Sequence, residues 1–101
     1  MTDLGMPPTS KKAMGLRLLL TRSALRLTSG HFASAAGIPK NTYSQYESGV
    51  RAPTLKYAIK LCDRFELTLD WLYRGDPSGL KYTLAAEIIR LRQERNTSRR
   101  K

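Results

Sequence analysis

Residues 27–55 read LTSGHFASAAGIPKNTYSQYESGVRAPTL. Thr28 and Ser29 carry the side-chain oxygens that satisfy free N–H groups at a helix start, so a helix is expected from there to about Ala36. Gly37 supplies the left-handed residue that ends helices at little steric cost. Pro39 suits the first turn of a second helix, expected to run to Glu47 and to stop at Gly49. Only Gly37 and Ile38 then separate the two helices, a very tight elbow. On the second helix Tyr43, Tyr46, Glu47 and Val50 fall at i, i+3, i+4 and i+7 and share one side, while Lys40, Asn41, Ser44 and Gln45 share the other.

Outward from the elbow the pattern stays helical. Towards the N-terminus, Lys11 to Leu27 is rich in Leu and Arg, with Met14, Leu18 and Leu25 at helical intervals, and Thr9 or Ser10 placed to cap it. Towards the C-terminus, Pro53 and Thr54 open a fourth helix to about Phe65, with Leu55, Ala58, Ile59, Leu61, Cys62 and Phe65 on one broad apolar face. Thr68 caps a short fifth helix, Leu69 to Tyr73, with Asp70 in its first turn and Gly75 at its end. After the Asp76–Gly79 break a sixth helix is expected from Thr83 to about Arg95, with Leu84, Ile88 and Leu91 on one stripe. No strand-like alternation of useful length occurs, and the expected fold is all-α: a compact five-helix domain over residues 11–76, then a C-terminal helix and basic tail over 77–101. Residues 1–10, with Gly5, Pro7 and Pro8 and little apolar periodicity, read as a flexible tail.

Charge narrows the partners. Eighteen Lys and Arg stand against eight Asp and Glu, for a formal charge of +10, which attracts polyanions and steers them at long range. Nucleic acid is the first such partner. A membrane is the rival, but no apolar run approaches the roughly 18 residues of a spanning helix, and MTDLGMPPTS lacks the basic and apolar regions of a secretion signal. One cysteine, Cys62, forms neither an internal disulfide nor a zinc cluster, so the cytoplasm is the expected compartment.

The polar side of the second elbow helix carries the chemistry. Lys donates to guanine N7 and O6, Asn and Gln bond adenine N7 and N6 bidentately, and Ser44 and the Thr42 methyl serve as secondary contacts. No acidic residue interrupts the group. A solvated helix face is the alternative use of the same residues; the preceding elbow favours the major groove.

From about Gly15 to Gly75 the chain resembles the lambda-repressor and Cro-type helix-turn-helix family. Residues 27–55 look like its two-helix reading unit and following loop, and LTLDWLYRGD like its fifth helix and exit. The resemblance puts Phe32, Ala33, Gly37, Ile38, Tyr43 and Tyr46 at core and elbow positions and Lys40, Asn41, Ser44 and Gln45 on the base-reading face. It implies an ion pair from Arg22 to Glu47, with Trp71 as a buried aromatic. Two positions depart from the family: Ser29 stands where a phosphate-gripping Gln is common, and His31 where a Glu would complete a capping box. Arg51, in the loop after the reading helix, is expected on a phosphate.

The functional expectation is a sequence-specific duplex-DNA regulator, a repressor, acting as a homodimer on two half-sites. An antitoxin-like interaction module, holding a protein partner through the sixth helix, is the alternative from another class. Leu69, Tyr73, Leu84, Ile88 and Leu91 supply apolar area that suits either a subunit contact or a lid on the chain's own core. His31 reads as a surface residue, Cys62 as a packed thiol, and Arg90, Arg92 and Arg95 as a solvated face. No nucleophile with a base and orienter, no paired carboxylate motif and no phosphate loop is present, so neither catalysis nor a cofactor or metal is expected.

Overall fold

The computed structural model describes residues 7–99. Its helices are α1 Lys11–Ala24, α2 Ser29–Ala35, α3 Lys40–Glu47, α4 Leu55–Phe65 and α5 Tyr82–Arg99. A π-helical turn, Asp70–Arg74, and a 3-10 turn, Pro77–Gly79, join α4 to α5. The described residues contain no strand, and the architecture is the expected all-α one.

Hydroxyl side chains start the elements. Ser10 accepts from the Ala13 N–H at 3.1 Å, Thr28 from His31 at 3.1 Å, Thr54 from Tyr57 at 3.4 Å and Thr68 from Trp71 at 3.0 Å. Each satisfies a donor that has no partner within its helix. The ends are less regular than the sequence suggests. α1 stops at Ala24 rather than Leu27, because Arg26 turns left-handed (φ 61°) and the Leu27 N–H closes back on the Arg22 carbonyl at 2.9 Å. Glu66 (φ 58°) ends α4 in the same way, with the Leu67 N–H on the Cys62 carbonyl at 3.0 Å. A side chain in this region costs about 1–2 kcal/mol, and burial of Leu67 offsets it.

Phe32 sits inside the core. It stacks on Phe65 with centroids 4.6 Å apart and meets Tyr43 edge-on at 5.5 Å. Leu18, Tyr46, Leu61, Trp71, Leu72 and Ile88 are the other large apolar side chains that are fully buried. Two polar side chains lie among them and tie α1 to the π-helical turn. Thr21 donates to the Arg17 carbonyl and accepts from the Trp71 indole N–H at 2.9 Å, so Trp71, 1% exposed, belongs to the core. The buried Arg17 donates to the Leu72 carbonyl from Nε (3.3 Å) and Nη2 (3.1 Å), and from Nη2 to the Pro8 carbonyl. Pro7–Ser10, which the sequence reads as part of a flexible tail, is therefore a turn held against α1, with the Ser10 N–H on the Pro7 carbonyl at 3.0 Å. The rest of that tail, residues 1–6, lies outside the described residues.

The C-terminal helix packs on α1, and Leu80, Leu84 and Ile88 enter the same core. Of the two uses left open to Leu84 and Ile88, a subunit contact or a lid on the chain's own core, the structure has the lid: they cover their own chain. Leu91 and Tyr73 are half-buried against the same core. α5 also continues past Arg95 to Arg99, since no Gly or Pro interrupts its hydrogen-bond ladder; Arg100 and Lys101 of the expected basic tail lie outside the described residues. On α4 the broad apolar face is covered only in part. Ala58 and Leu61 are buried, whereas Leu55 and Ile59 are 57% and 42% exposed.

Ile88, 1% exposed, tests the role of α5. Ile88→Ala should destabilise the fold by about 2–5 kcal/mol, read from urea denaturation. Truncation after Gly79, which strips Leu80, Leu84 and Ile88 from the core, should abolish cooperative unfolding; a truncated chain that melts like the full one contradicts this packing role.

Candidate nucleic-acid interface

The α2–α3 elbow forms because Gly37 (φ 72°) reverses the chain while the Ile38 N–H returns to the Ala33 carbonyl at 2.9 Å. Ile38 is buried at the corner. Pro39 caps α3 with its backbone, so the first helical residue is Lys40 rather than Pro39. Phe32 and Ala33 of α2 and Tyr43 and Tyr46 of α3 then close the inner side.

That arrangement leaves Lys40, Asn41, Ser44 and Gln45 exposed together, with Thr42 half-buried beside them. Ser29, at the first turn of α2, is also half-buried. Val50 departs from its expected place with the tyrosines and is 62% exposed. The reason is local: α3 ends at Glu47 and Gly49 (φ 82°) turns the chain, so the helical period no longer applies at i+7.

The inner side of α3 is held against α1 by two devices. At Gly15 the backbones cross so closely that a Cβ there would stand 2.5 Å from the Glu47 carbonyl oxygen and 2.7 Å from that of Tyr46. Beside this crossing Arg22 pairs with Glu47 through two bonds, Nε to Oε1 at 2.7 Å and Nη2 to Oε2 at 2.9 Å, the pair that the family resemblance implies. Tyr43 donates its hydroxyl to the same Oε1 at 2.8 Å, and Arg22 Nη1 reaches the Leu27 carbonyl at 3.2 Å. The Glu47 carboxylate raises the Arg22 guanidinium above its ordinary value by hydrogen bonding. Burial first, and the bond to Glu47 second, hold the Tyr43 phenol protonated far into the alkaline range, so it remains a donor. The one carboxylate of α3 is thus satisfied on the inner side, and no negative charge stands on the outer one.

Arg51 lies in the loop after α3 and donates from Nη1 to the Gln45 side-chain oxygen at 3.2 Å. Lys12 of α1 adjoins the same loop, its Cγ 3.0 Å from where a Cβ on Gly49 would stand. Lys56, in the first turn of α4, lies over the Tyr57 ring at 5.5 Å. Neither lysine is singled out by the sequence reading, because only the tertiary crossing of α1 and the loop brings Lys12 to the α3 exit. His31 is exposed, and no group of three or more His, Cys, Asp or Glu capable of holding a metal occurs among the described residues. Cys62 is half-buried; burial, then Asp63, pushes its thiol up to about 11.

An all-helical domain with a tight two-helix elbow and an outward polar helix face defines a helix-turn-helix protein. The helix-turn-helix family model matches residues 16–72, more than half of the chain, and the chain belongs to that family, of the lambda-repressor type. Over 56 residues, 55% of this chain and 50% of the relative, it is 36% identical to the cryptic phage CTXphi transcriptional repressor RstR of Vibrio cholerae. The chain thus spans half the length of that curated relative. No solved structure matches it significantly.

Two substitutions test the α1–α3 junction. Gly15→Ala should cost about 1–3 kcal/mol by overpacking, because the atoms in the way are backbone carbonyls. Glu47→Gln should cost about 1–3 kcal/mol by removing the charge-assisted bonds from Arg22, a cost largely absent in an Arg22→Met background. Thermal and urea melts measure both, and wild-type stability in either single variant contradicts the reading of this junction.

Proposed function

We propose that the chain is a non-enzymatic, sequence-specific duplex-DNA-binding regulator that represses transcription by occupying its operator in the cytoplasm. The observation that carries this reading is the outer face of α3: four exposed polar side chains with no acidic neighbour, on a helix anchored to the body from behind. Such a face matches base edges in a major groove. Lys40 suits guanine, Asn41 and Gln45 suit adenine, and Ser44 and Thr42 provide secondary contacts. Ser29, at the start of α2, and the cations Lys12, Arg51 and Lys56 supply phosphate contacts, and the formal charge of +10 adds long-range attraction. The name of the Vibrio cholerae relative supports the repressor reading.

One α3 covers only a few base pairs, so two copies are expected on half-sites about one helical turn apart. Support for a second copy comes from the uncovered apolar residues Leu55, Ile59 and Leu69, with Val50 in the loop leading to α4. Tyr46 accepts from the Thr54 N–H, which places the start of α4 beside the reading helix, where a two-fold partner would set two reading helices side by side.

Lys40→Ala, Asn41→Ala and Gln45→Ala should each lose about 1–3 kcal/mol of operator affinity with the melting temperature unchanged. Binding to duplexes selected from a random pool at near-physiological salt reads this out; unchanged discrimination between selected and random duplexes refutes the assignment. Ile59→Asp should weaken dimers on DNA without unfolding the chain. Sedimentation of a protein that stays monomeric on a single asymmetric half-site contradicts the two-copy arrangement.

A further inference from the structure

Gln45 and Arg51 are bound to each other through their backbones as well as through one side-chain contact. The Gln45 backbone carbonyl accepts from the Val50 N–H at 3.0 Å, the Arg51 N–H at 3.1 Å and the Ser48 hydroxyl at 3.2 Å. The loop therefore folds onto this one residue. Gly49 makes the fold possible: its φ of 82° is strained for any side chain, and a Cβ would press on Lys12 at 3.0 Å. Once the backbone of Arg51 is fixed there, its guanidinium meets the Gln45 amide, Nη1 to Oε1 at 3.2 Å.

A guanidinium has only donors, so the Gln45 atom facing it must be the acceptor oxygen. The amide nitrogen then points the other way. Without Arg51, the Gln45 amide turns between its two orientations, and a flipped amide aims a donor at the guanine O6 acceptor where the other orientation aims an acceptor at the adenine N6–H. With Arg51 in place, one lone pair of Oε1 is occupied and the second remains free for the adenine N6–H, while Nε2 donates to N7.

We infer that Arg51 is a positioning residue for base recognition, holding the Gln45 amide in the orientation that selects adenine. The inference rests on the proposal that the outer face of α3 reads the major groove. It assigns Arg51 a second role beside the phosphate contact expected from the sequence, since a guanidinium carries five N–H donors and Nη1 alone is used on Gln45.

A double-mutant cycle tests it. Wild type, Gln45→Ala, Arg51→Met and the double variant, each with its melting temperature checked, select duplexes from a random pool, and dissociation constants are measured on the selected duplex and its single-base variants. Gln45→Ala should erase an adenine preference at one operator position. Arg51→Met should reduce the preference at that same position by about fivefold or more, the lower end of a bidentate contact's discrimination. In the Gln45→Ala background, Arg51→Met should change base preference no further. If Arg51→Met weakens every duplex by one factor and leaves that preference intact, Arg51 only neutralises phosphate and the inference is overturned, while the reading role of Gln45 stands. If Gln45→Ala alters no position, the inference and the groove assignment fall together.

Discussion

The outward polar face of α3 depends on how closely α1 crosses the end of that helix. A residue without a side chain at position 15 lets the two backbones come within a distance that a single Cβ would forbid. That approach brings Arg22 to Glu47, and the carboxylate in turn holds the Tyr43 hydroxyl. Any side chain at this point would push the helices apart and lengthen all three bonds. Helix α3, only eight residues long, is too short to be stable alone. Its order comes from this junction and from the aromatic packing of Tyr43 and Tyr46.

The same junction sorts the charges of α3. Glu47 faces inward and is neutralised there, so its carboxylate does not repel phosphate from the outer side. The partial exposure of the pair matters for its energetics: with both side chains about one-fifth accessible, desolvation is modest and the two parallel bonds contribute more than a surface ion pair would. The exposed ion pairs of Arg90 with Glu87 and Glu94 on α5 are of the other kind. They balance charge on a solvated face and add little to stability.

Much of this is legible in the chain. Hydroxyl caps at Ser10, Thr28, Thr54 and Thr68, and the glycines at 37, 49 and 75, act locally and mark element boundaries within a residue or two. The elbow and the split of α3 into two sides come from the same local rules. Arg26 and Glu66 are not legible, because nothing in their chemistry announces a left-handed residue; the packing of the neighbouring leucines, Leu27 and Leu67, decides it. Leu84 and Ile88 are ambiguous because an amphipathic stripe states that it must be covered, not by which surface. The Arg51–Gln45 bond and the place of Lys12 depend on how a loop lies over a helix, which spacing along the chain does not encode.

The central claim, that the outer face of α3 meets the DNA, is tested most directly by mapping backbone amide shifts by NMR as the protein is titrated with a selected duplex and with a scrambled one. The account predicts large changes with the selected duplex at the start of α2, along Lys40–Gln45 and through the loop to Thr54, with α5 little affected, and a weaker, salt-sensitive subset with the scrambled duplex. Changes centred on α5, or the same pattern and strength with both duplexes, would contradict it.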